Sequence, residues 1–145
     1  MDYDSNYLDK TVHLVVPKDN IDVNLKYVLG LMNSSLYNHL YAHISQETPG
    51  KAFSQVKTVF IKKLPIKLNT NNIEDFIIKT VDKILELTNS DDYSNNAEKQ
   101  QAVKEYENQI DIMVYKLYDL TYSEVKTIDS EFSLSEEEYD KVMVF

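Results

Sequence analysis

The sequence predicts an α+β fold: a small mixed lobe, then a long antiparallel helix pair and short C-terminal helices, mostly helical overall. Three observations lead to this prediction. A β-branched run near the start reads as a strand, apolar residues recur at helical spacing over much of the chain, and the composition changes after residue 70. We therefore divide the chain into a mobile lead-in (1–10), a lobe (11–70) and a helical support and interaction region (71–145).

The predicted lobe begins with a strand over Thr11–Val16, because β-branched residues favour strands and a proline follows the run. Apolar residues at spacings of three and four then predict an amphipathic helix over 22–44, capped by Asp22 or Asn24. The polar residues at 33–35 weaken the middle of this helix, so a bend is expected there.

The rest of the lobe is less regular. Proline and glycine predict a loop over 45–50. The segment 52–60 fits a short helix or a strand, and its residues do not decide between them. An extended segment is expected over 61–68, because the residue before Pro65 is pushed out of the helical region.

After residue 70 the pattern is helical throughout. Asn72 is expected to cap one long helix, and a polar linker separates it from a second helix over 97–118 with near-heptad apolar spacing. Two capping boxes, Thr121 with Glu124 and Ser135 with Glu138, predict short terminal helices.

Charge is distributed unevenly along a chain whose net charge is −9. Residues 1–70 hold eight Lys against six acids, a net of +2, whereas 71–145 hold seven Lys against eighteen acids, a net of −11. Within 23–68 there are six Lys and one Glu, a net of +5. Such asymmetry indicates that one half faces a polyanion, although a solvated acidic helix surface would give the same count. All fifteen basic residues are Lys, so the usual bidentate reader of guanine, Arg, is missing.

Motifs of catalysis are missing from the sequence. Without Cys, thiol catalysis and Cys-based zinc sites are excluded, and two glycines cannot build a phosphate-binding loop. His39 and His43 have the spacing of a metal-binding pair but lack a third ligand at a familiar spacing, so we expect no metal site. Neither the Asn/Asp-Pro-Pro-aromatic motif of amino-methyltransferases nor a PD-(D/E)xK nuclease motif occurs. We expect the chain itself to be non-catalytic; retained enzymatic activity is the least favoured option.

Three stretches in order resemble one family. Leu25–Ile44 (LKYVLGLMNSSLYNHLYAHI) resembles its "YLLGLLNSKL" helix, Phe53–Ile66 (FSQVKTVFIKKLPI) resembles a segment ending in "LPIP", and Ile110–Ile128 (IDIMVYKLYDLTYSEVKTI) resembles its "IDelVYeLYgLteeEi" tail. The family is the TaqI-like C-terminal specificity domain of adenine-specific DNA methyltransferases, which occurs in fused type II restriction enzymes and phage-defence methyltransferases. The chain departs from the pattern at the loop 45–50, where the family often has glycines, and at Lys67, which replaces the second proline.

The resemblance implies that the lobe recognises DNA and that its catalytic partners, methyltransferase and nuclease domains, lie upstream in a longer parent enzyme. Phosphate contacts are then expected from lysines and base contacts from serines and glutamines. The DNA-binding candidates are Ser45, Gln46, Lys51, Ser54, Gln55, Lys57, Lys62 and Lys63. No cofactor is expected in this segment; the parent would use S-adenosylmethionine, with Mg²⁺ as a second candidate.

A different class of function also fits the residues. The overall acidity and the heptad-like seam are typical of a helical protein-interaction or assembly module without a DNA role, and such a seam would also permit self-association. Under the preferred interpretation the partner is double-stranded DNA, and Tyr106, Tyr115 and Tyr118 are packing residues rather than base-stacking ones. The sequence contains no signal-peptide pattern and no apolar run of membrane-spanning length, so we expect a cytoplasmic protein without a membrane partner.

Overall fold

The computed structural model describes residues 15–45, 56–68 and 72–142, and within these ranges the secondary structure is helical. The α-helices are α1 (Leu25–Asn33), α2 (Ser35–Ser45), α3 (Thr58–Ile61), α4 (Asn72–Thr88), α5 (Ala97–Leu117), α6 (Tyr122–Ile128) and α7 (Glu136–Lys141). A 3-10 helix at Tyr93–Asn95 lies between α4 and α5.

The α+β prediction is wrong, because the described residues contain no strand. Most of the predicted strand, residues 11–14, lies outside the described residues, and Val15 and Val16 are exposed and belong to no sheet. The undecided segment 52–60 forms the single-turn helix α3 over its described end. The extended segment predicted over 61–68 is wrong for its first half, because Ile61 belongs to α3 and residues 62–64 form a turn and a bend. Residues 65–68 are non-helical, as expected, and their backbone groups bond tyrosine hydroxyls.

The predicted helix over 22–44 is divided at Ser34. Asn24 caps α1 by accepting a hydrogen bond from the backbone N–H of Lys26 at 2.9 Å. Ser34 then adopts extended backbone angles and ends α1, while its hydroxyl donates to the Leu31 carbonyl at 2.7 Å. Because Ser34 is buried, this local bond removes the cost of an unpaired hydroxyl at the break. The expected bend at 33–35 is therefore confirmed as a break between two helices.

Helices α4 and α5 form the predicted helix pair, and the short connection through 89–96 makes them antiparallel. Asn96 caps α5 by accepting from the Lys99 backbone N–H at 3.1 Å. The helix ends in a left-handed residue, Asp119 with φ 56°, and the Leu120 N–H bonds the Tyr115 carbonyl at 3.0 Å. This is the Schellman arrangement, which satisfies carbonyls that the last turn would leave unpaired.

One hydrophobic core joins the elements on both sides of residue 70. Helix α1 packs on α4 and α5, α6 packs on α2 and α7, and the ring of Tyr139 on α7 lies against the ammonium group of Lys116 on α5. The buried core side chains include Tyr27, Leu31, Tyr37, Leu64, Ile77, Val81, Val114, Tyr115, Val125 and Tyr139. Both predicted capping boxes are confirmed, at Thr121 with Glu124 and at Ser135 with Glu138.

Candidate nucleic-acid interface

Three of the predicted DNA-binding lysines lie on and beside α3 and are exposed. We call Lys57, Lys62 and Lys63 the lysine surface. The ammonium groups of Lys57 and Lys63 stand 5.8 Å and 5.7 Å from the centroid of the Phe60 ring. A cation over an aromatic face is attracted by the ring quadrupole, so Phe60 gathers two positive charges at one place.

Helix α3 is held against α2 by Tyr41. The Tyr41 hydroxyl accepts a hydrogen bond from the Lys57 backbone N–H at 2.9 Å. The Tyr41 and Phe60 rings meet edge to face with their centroids 6.2 Å apart. A single turn of helix is unstable alone, so these contacts explain how a four-residue helix keeps a defined position. The lysine surface is thus built on an anchored element.

The chain after the lysine surface is fixed by three tyrosine hydroxyls. The Pro65 carbonyl accepts from the Tyr118 hydroxyl at 2.9 Å and also bonds the Tyr37 hydroxyl, and the Lys67 carbonyl accepts from Tyr27 at 2.7 Å. Burial, with a smaller contribution from the Tyr118 hydroxyl, raises the pKa of Tyr37 well above its usual value. The three hydroxyl groups therefore hold the segment 65–68 to α1, α2 and the end of α5.

Lys26 and Lys67 belong to the same basic segment but have other roles. Lys67 donates to the Leu117 carbonyl at 2.7 Å and pairs with Asp119 at 3.3 Å, which places a positive charge at the C-terminal end of α5. That position is favoured by the helix dipole. Lys26 pairs with Asp82 on α4. Among the described residues, no ion pair is found for Lys62 or Lys63, and both side chains are exposed, so their charges can reach a ligand.

The remaining predicted site residues are only partly described. Ser45 ends α2, is half-buried, and its hydroxyl donates to the Ala42 carbonyl at 3.3 Å. The other four, Gln46, Lys51, Ser54 and Gln55, lie outside the described residues. Helix α2, which Ser45 ends, packs against α3, and the contacts run through Tyr41.

Sequence reasoning missed the aromatic partners of the lysine surface. Phe60 lies three residues after Lys57 and three before Lys63, a spacing that would have indicated a shared helix face. Tyr41 carried no such signal, because it lies sixteen residues before Lys57. The predicted packing role of Tyr115 is confirmed by its complete burial, whereas Tyr118 has the additional role of holding Pro65.

The two histidines of α2 do not assemble a metal site in the part of the chain that the structure describes. The rings of His39 and His43 stack with their centroids 5.0 Å apart. Among residues 15–45, 56–68 and 72–142, no three His, Cys, Asp or Glu side chains are placed to hold a metal ion. Within the same ranges, none of the helices combines the length and apolar character needed to cross a membrane.

Comparison with known proteins gives one finding for this chain. Residues 1–66 match the family model of the TaqI-like C-terminal specificity domain, which confirms the resemblance over that part of the sequence. The stretch Ile110–Ile128, which also resembles the family, lies outside the matched residues. No curated protein and no solved structure matches the chain. A specificity domain of this kind indicates recognition of DNA sequence in a restriction-modification enzyme, with a linked catalytic partner domain.

Proposed function

We propose that this chain reads a sequence of double-stranded DNA as the specificity domain of a restriction-modification enzyme, and that the lysine surface contacts the DNA. One coincidence supports the proposal most directly. The matched residues 1–66 contain the exposed Lys57, Lys62 and Lys63, and the ammonium groups of Lys57 and Lys63 lie near the ring of the anchored Phe60. The family match supports a DNA-reading role for this part of the chain, and the arrangement of charge is what suggests the lysine surface as the point of contact.

The lysines would bind phosphate groups rather than bases. An ammonium group is a compact point charge that suits a phosphate oxygen, and phosphate contacts fix the register of a protein on DNA without specifying sequence. Residues 56–68 hold four Lys and no Asp or Glu, so no acidic side chain within this segment opposes a phosphate. The acidic residues of 71–145 would repel DNA and so favour approach through the lysine surface.

Base contacts are proposed for the residues between α2 and α3. Gln46 and Gln55 can each make a bidentate contact with adenine, and Ser45 and Ser54 can bond several base edges. Lys51 would add a further phosphate contact. In the absence of Arg, guanine would be read by Lys or through the partner base.

For the parent enzyme we propose an adenine-N6 methyltransferase core upstream of this chain, acting in the cytoplasm with S-adenosylmethionine as methyl donor. A nuclease domain that uses Mg²⁺ would add type II cleavage and a role in phage defence. The support is the resemblance to fused enzymes of this family. The complete parent protein, incubated with duplex DNA and S-adenosylmethionine carrying a labelled methyl group, should place the label on adenine; label on cytosine or no label would contradict this part of the proposal.

Selection from a pool of random-sequence duplexes tests the proposed function of the chain itself. The chain at low salt should retain duplexes, and repeated rounds should enrich a defined sequence. Non-specific protein–DNA binding has a Kd of about 10⁻⁴ to 10⁻⁶ M at physiological salt, so low salt keeps the starting affinity measurable. A chain that retains no duplex under these conditions would instead fit a helical interaction module and would overturn the proposal.

A further inference from the structure

Val59 is an exposed apolar side chain inside the lysine surface. It lies in the single turn α3, and its fractional exposure is 57 %. Lys62 and Lys63 follow it by three and four residues, and Lys62 keeps helical backbone angles, so both lysines lie next to Val59 on one face. Burying a valine side chain is favourable because it removes apolar surface from water. Val59 is exposed instead, beside lysines that are proposed to contact phosphates.

The position of α3 limits where Val59 can go when DNA is bound. Tyr41 and Phe60 hold α3 on α2, and the tyrosine hydroxyls hold the following segment, so the turn cannot fold its valine into the core without breaking these contacts. The major groove is about 12 Å wide and admits a helix. With its lysines on phosphates, the turn would direct Val59 at the base edges.

Among the base edges in the major groove, one group is apolar: the methyl group at C5 of thymine. Cytosine offers the same chemistry only when it is methylated at C5. A valine that loses water against such a methyl group gains free energy, whereas contact with the polar edges of adenine, guanine or unmodified cytosine gives no such gain.

We propose that Val59 is a specificity-determining residue that contacts the C5-methyl group of a pyrimidine in the target sequence. This inference rests on the proposed function and deepens it, because it names one chemical feature of the DNA that is read. The expected source of the methyl group is thymine. Burial of one methyl group is worth about fourfold in affinity.

The test compares duplexes that differ only in pyrimidine methyl groups. The duplex enriched by the chain is resynthesised with deoxyuridine in place of each thymidine in turn, and with 5-methyldeoxycytidine in place of each cytidine. Wild-type chain should lose about fourfold in affinity at one deoxyuridine position or more. A gain on cytosine methylation, with no effect of deoxyuridine, would assign the contact to methylated cytosine.

Two variants test whether the preference for thymine over uracil comes from Val59. Val59→Ala should bind the thymine and uracil duplexes equally and keep the wild-type dependence on salt, since no charge is changed. Val16→Ala is the matched control, because Val16 is another exposed valine but lies outside the lysine surface. It should keep the thymine preference. Equal thermal unfolding of the two variants checks that both are folded.

Two failures are distinguishable. If the chain enriches and binds a duplex but discriminates neither thymine from uracil nor methylated from unmethylated cytosine, the contact by Val59 is overturned and the proposed function stands. The same holds if Val59→Ala keeps the wild-type preference. If the chain binds no duplex, the proposed function fails and the inference fails with it.

Discussion

The hydroxyl groups of Tyr37 and Tyr118 lie 2.8 Å apart, and both bond the carbonyl oxygen of Pro65. Tyr37 belongs to α2, while Tyr118 is the residue that ends α5, so two helices far apart in sequence meet on one backbone group. The Tyr118 hydroxyl also accepts from the Lys67 N–H at 3.2 Å. Through this cluster α2 and α5 together fix the segment that follows the lysine surface.

Replacing Tyr118 with Phe should lower the free energy of unfolding by about 1–3 kcal/mol, because the hydrogen bonds to Pro65 and from Lys67 are both lost and each is typically worth about 1 kcal/mol net. Chemical denaturation measures the change. Tyr106→Phe is the control, because the Tyr106 hydroxyl makes no hydrogen bond with any described residue. Equal stability of the two variants would mean that the cluster at Pro65 does not contribute to holding the segment.

The Asp111 carboxylate on α5 accepts two hydrogen bonds from Ser35 at the start of α2. One comes from the backbone N–H and one from the side-chain hydroxyl, each at 2.7 Å. Asp111→Ala leaves the backbone N–H of Ser35 without its partner, so we expect a loss of about 1–3 kcal/mol in the free energy of unfolding. Asp111→Asn keeps an acceptor for that N–H and should cost less at neutral pH. If Asp111→Ala and Asp111→Asn lose the same free energy of unfolding, the stability that Asp111 contributes does not come from its hydrogen bond to the Ser35 N–H.

Asp111 also predicts a dependence of stability on pH. Burial raises the pKa of Asp111, although the hydrogen bonds from Ser35 lower it in part. The folded protein therefore holds this proton more tightly than the unfolded chain, and the resulting stability is present below the unfolded pKa of about 3.9 and is lost as the pH rises through the folded pKa. Unfolding measured from low to neutral pH should show Asp111→Asn gaining stability relative to wild type as the pH rises.

The capping boxes predict the opposite dependence on pH. Hydrogen bonds from the backbone and side chain of Thr121 lower the pKa of Glu124, and those of Ser135 lower the pKa of Glu138. Stability from a lowered pKa is present above the unfolded value of about 4.3 and is lost as the pH falls through the folded value. The double variant Glu124→Gln, Glu138→Gln should therefore flatten the acid side of the stability profile, which unfolding measured from low to neutral pH checks; a profile as steep as that of the wild type would contradict the role of the two carboxylates.

Gly30 permits α1 to approach α4 closely. A Cβ atom at this position would lie 2.5 Å from Cγ2 of Ile77 and 3.3 Å from Cγ2 of Val81. Alanine is the better helix former by about 1 kcal/mol, but overpacking costs about 1–3 kcal/mol, so we expect Gly30→Ala to destabilise. In a double-mutant cycle the penalty should disappear in an Ile77→Ala background. A penalty of the same size in both backgrounds would exclude the contact as its cause.

Local signals were sufficient to predict most helices from the sequence. The capping boxes at Thr121 and Ser135 and the cap at Asn24 depend on residues within one helical turn, so a linear pattern identifies them. The division at Ser34 was indicated by polar residues in the same way. The α+β prediction was based on the β-branched run 11–16, but such residues form a strand only where a neighbouring strand can pair with them, and the described residues contain none. The non-helical residues 65–68 are instead held by hydroxyls as far as 53 residues away, and no spacing rule reports such contacts.

The candidate site was predictable to a similar extent. The lysine surface is local in sequence and was identified by charge alone. By composition alone, Lys67 belongs to the basic segment. Its ammonium group instead bonds Leu117 and Asp119 at the end of α5, about 50 residues away in the sequence. The role of Tyr41 in anchoring α3 depends on how α2 and α3 pack, which charge and periodicity do not reveal.

The salt dependence of duplex binding tests the central claim most directly. Each phosphate contact contributes about 0.9 to the slope of log K against log salt concentration, so replacing Lys57, Lys62 and Lys63 by Gln should reduce that slope by about 2.7. The control replaces Lys79, Lys83 and Lys104, exposed lysines of α4 and α5, by Gln and has the same net charge. We predict that the control keeps the wild-type slope and that the lysine-surface variant loses most of it; equal slopes for the two variants would contradict the assignment of DNA binding to this surface.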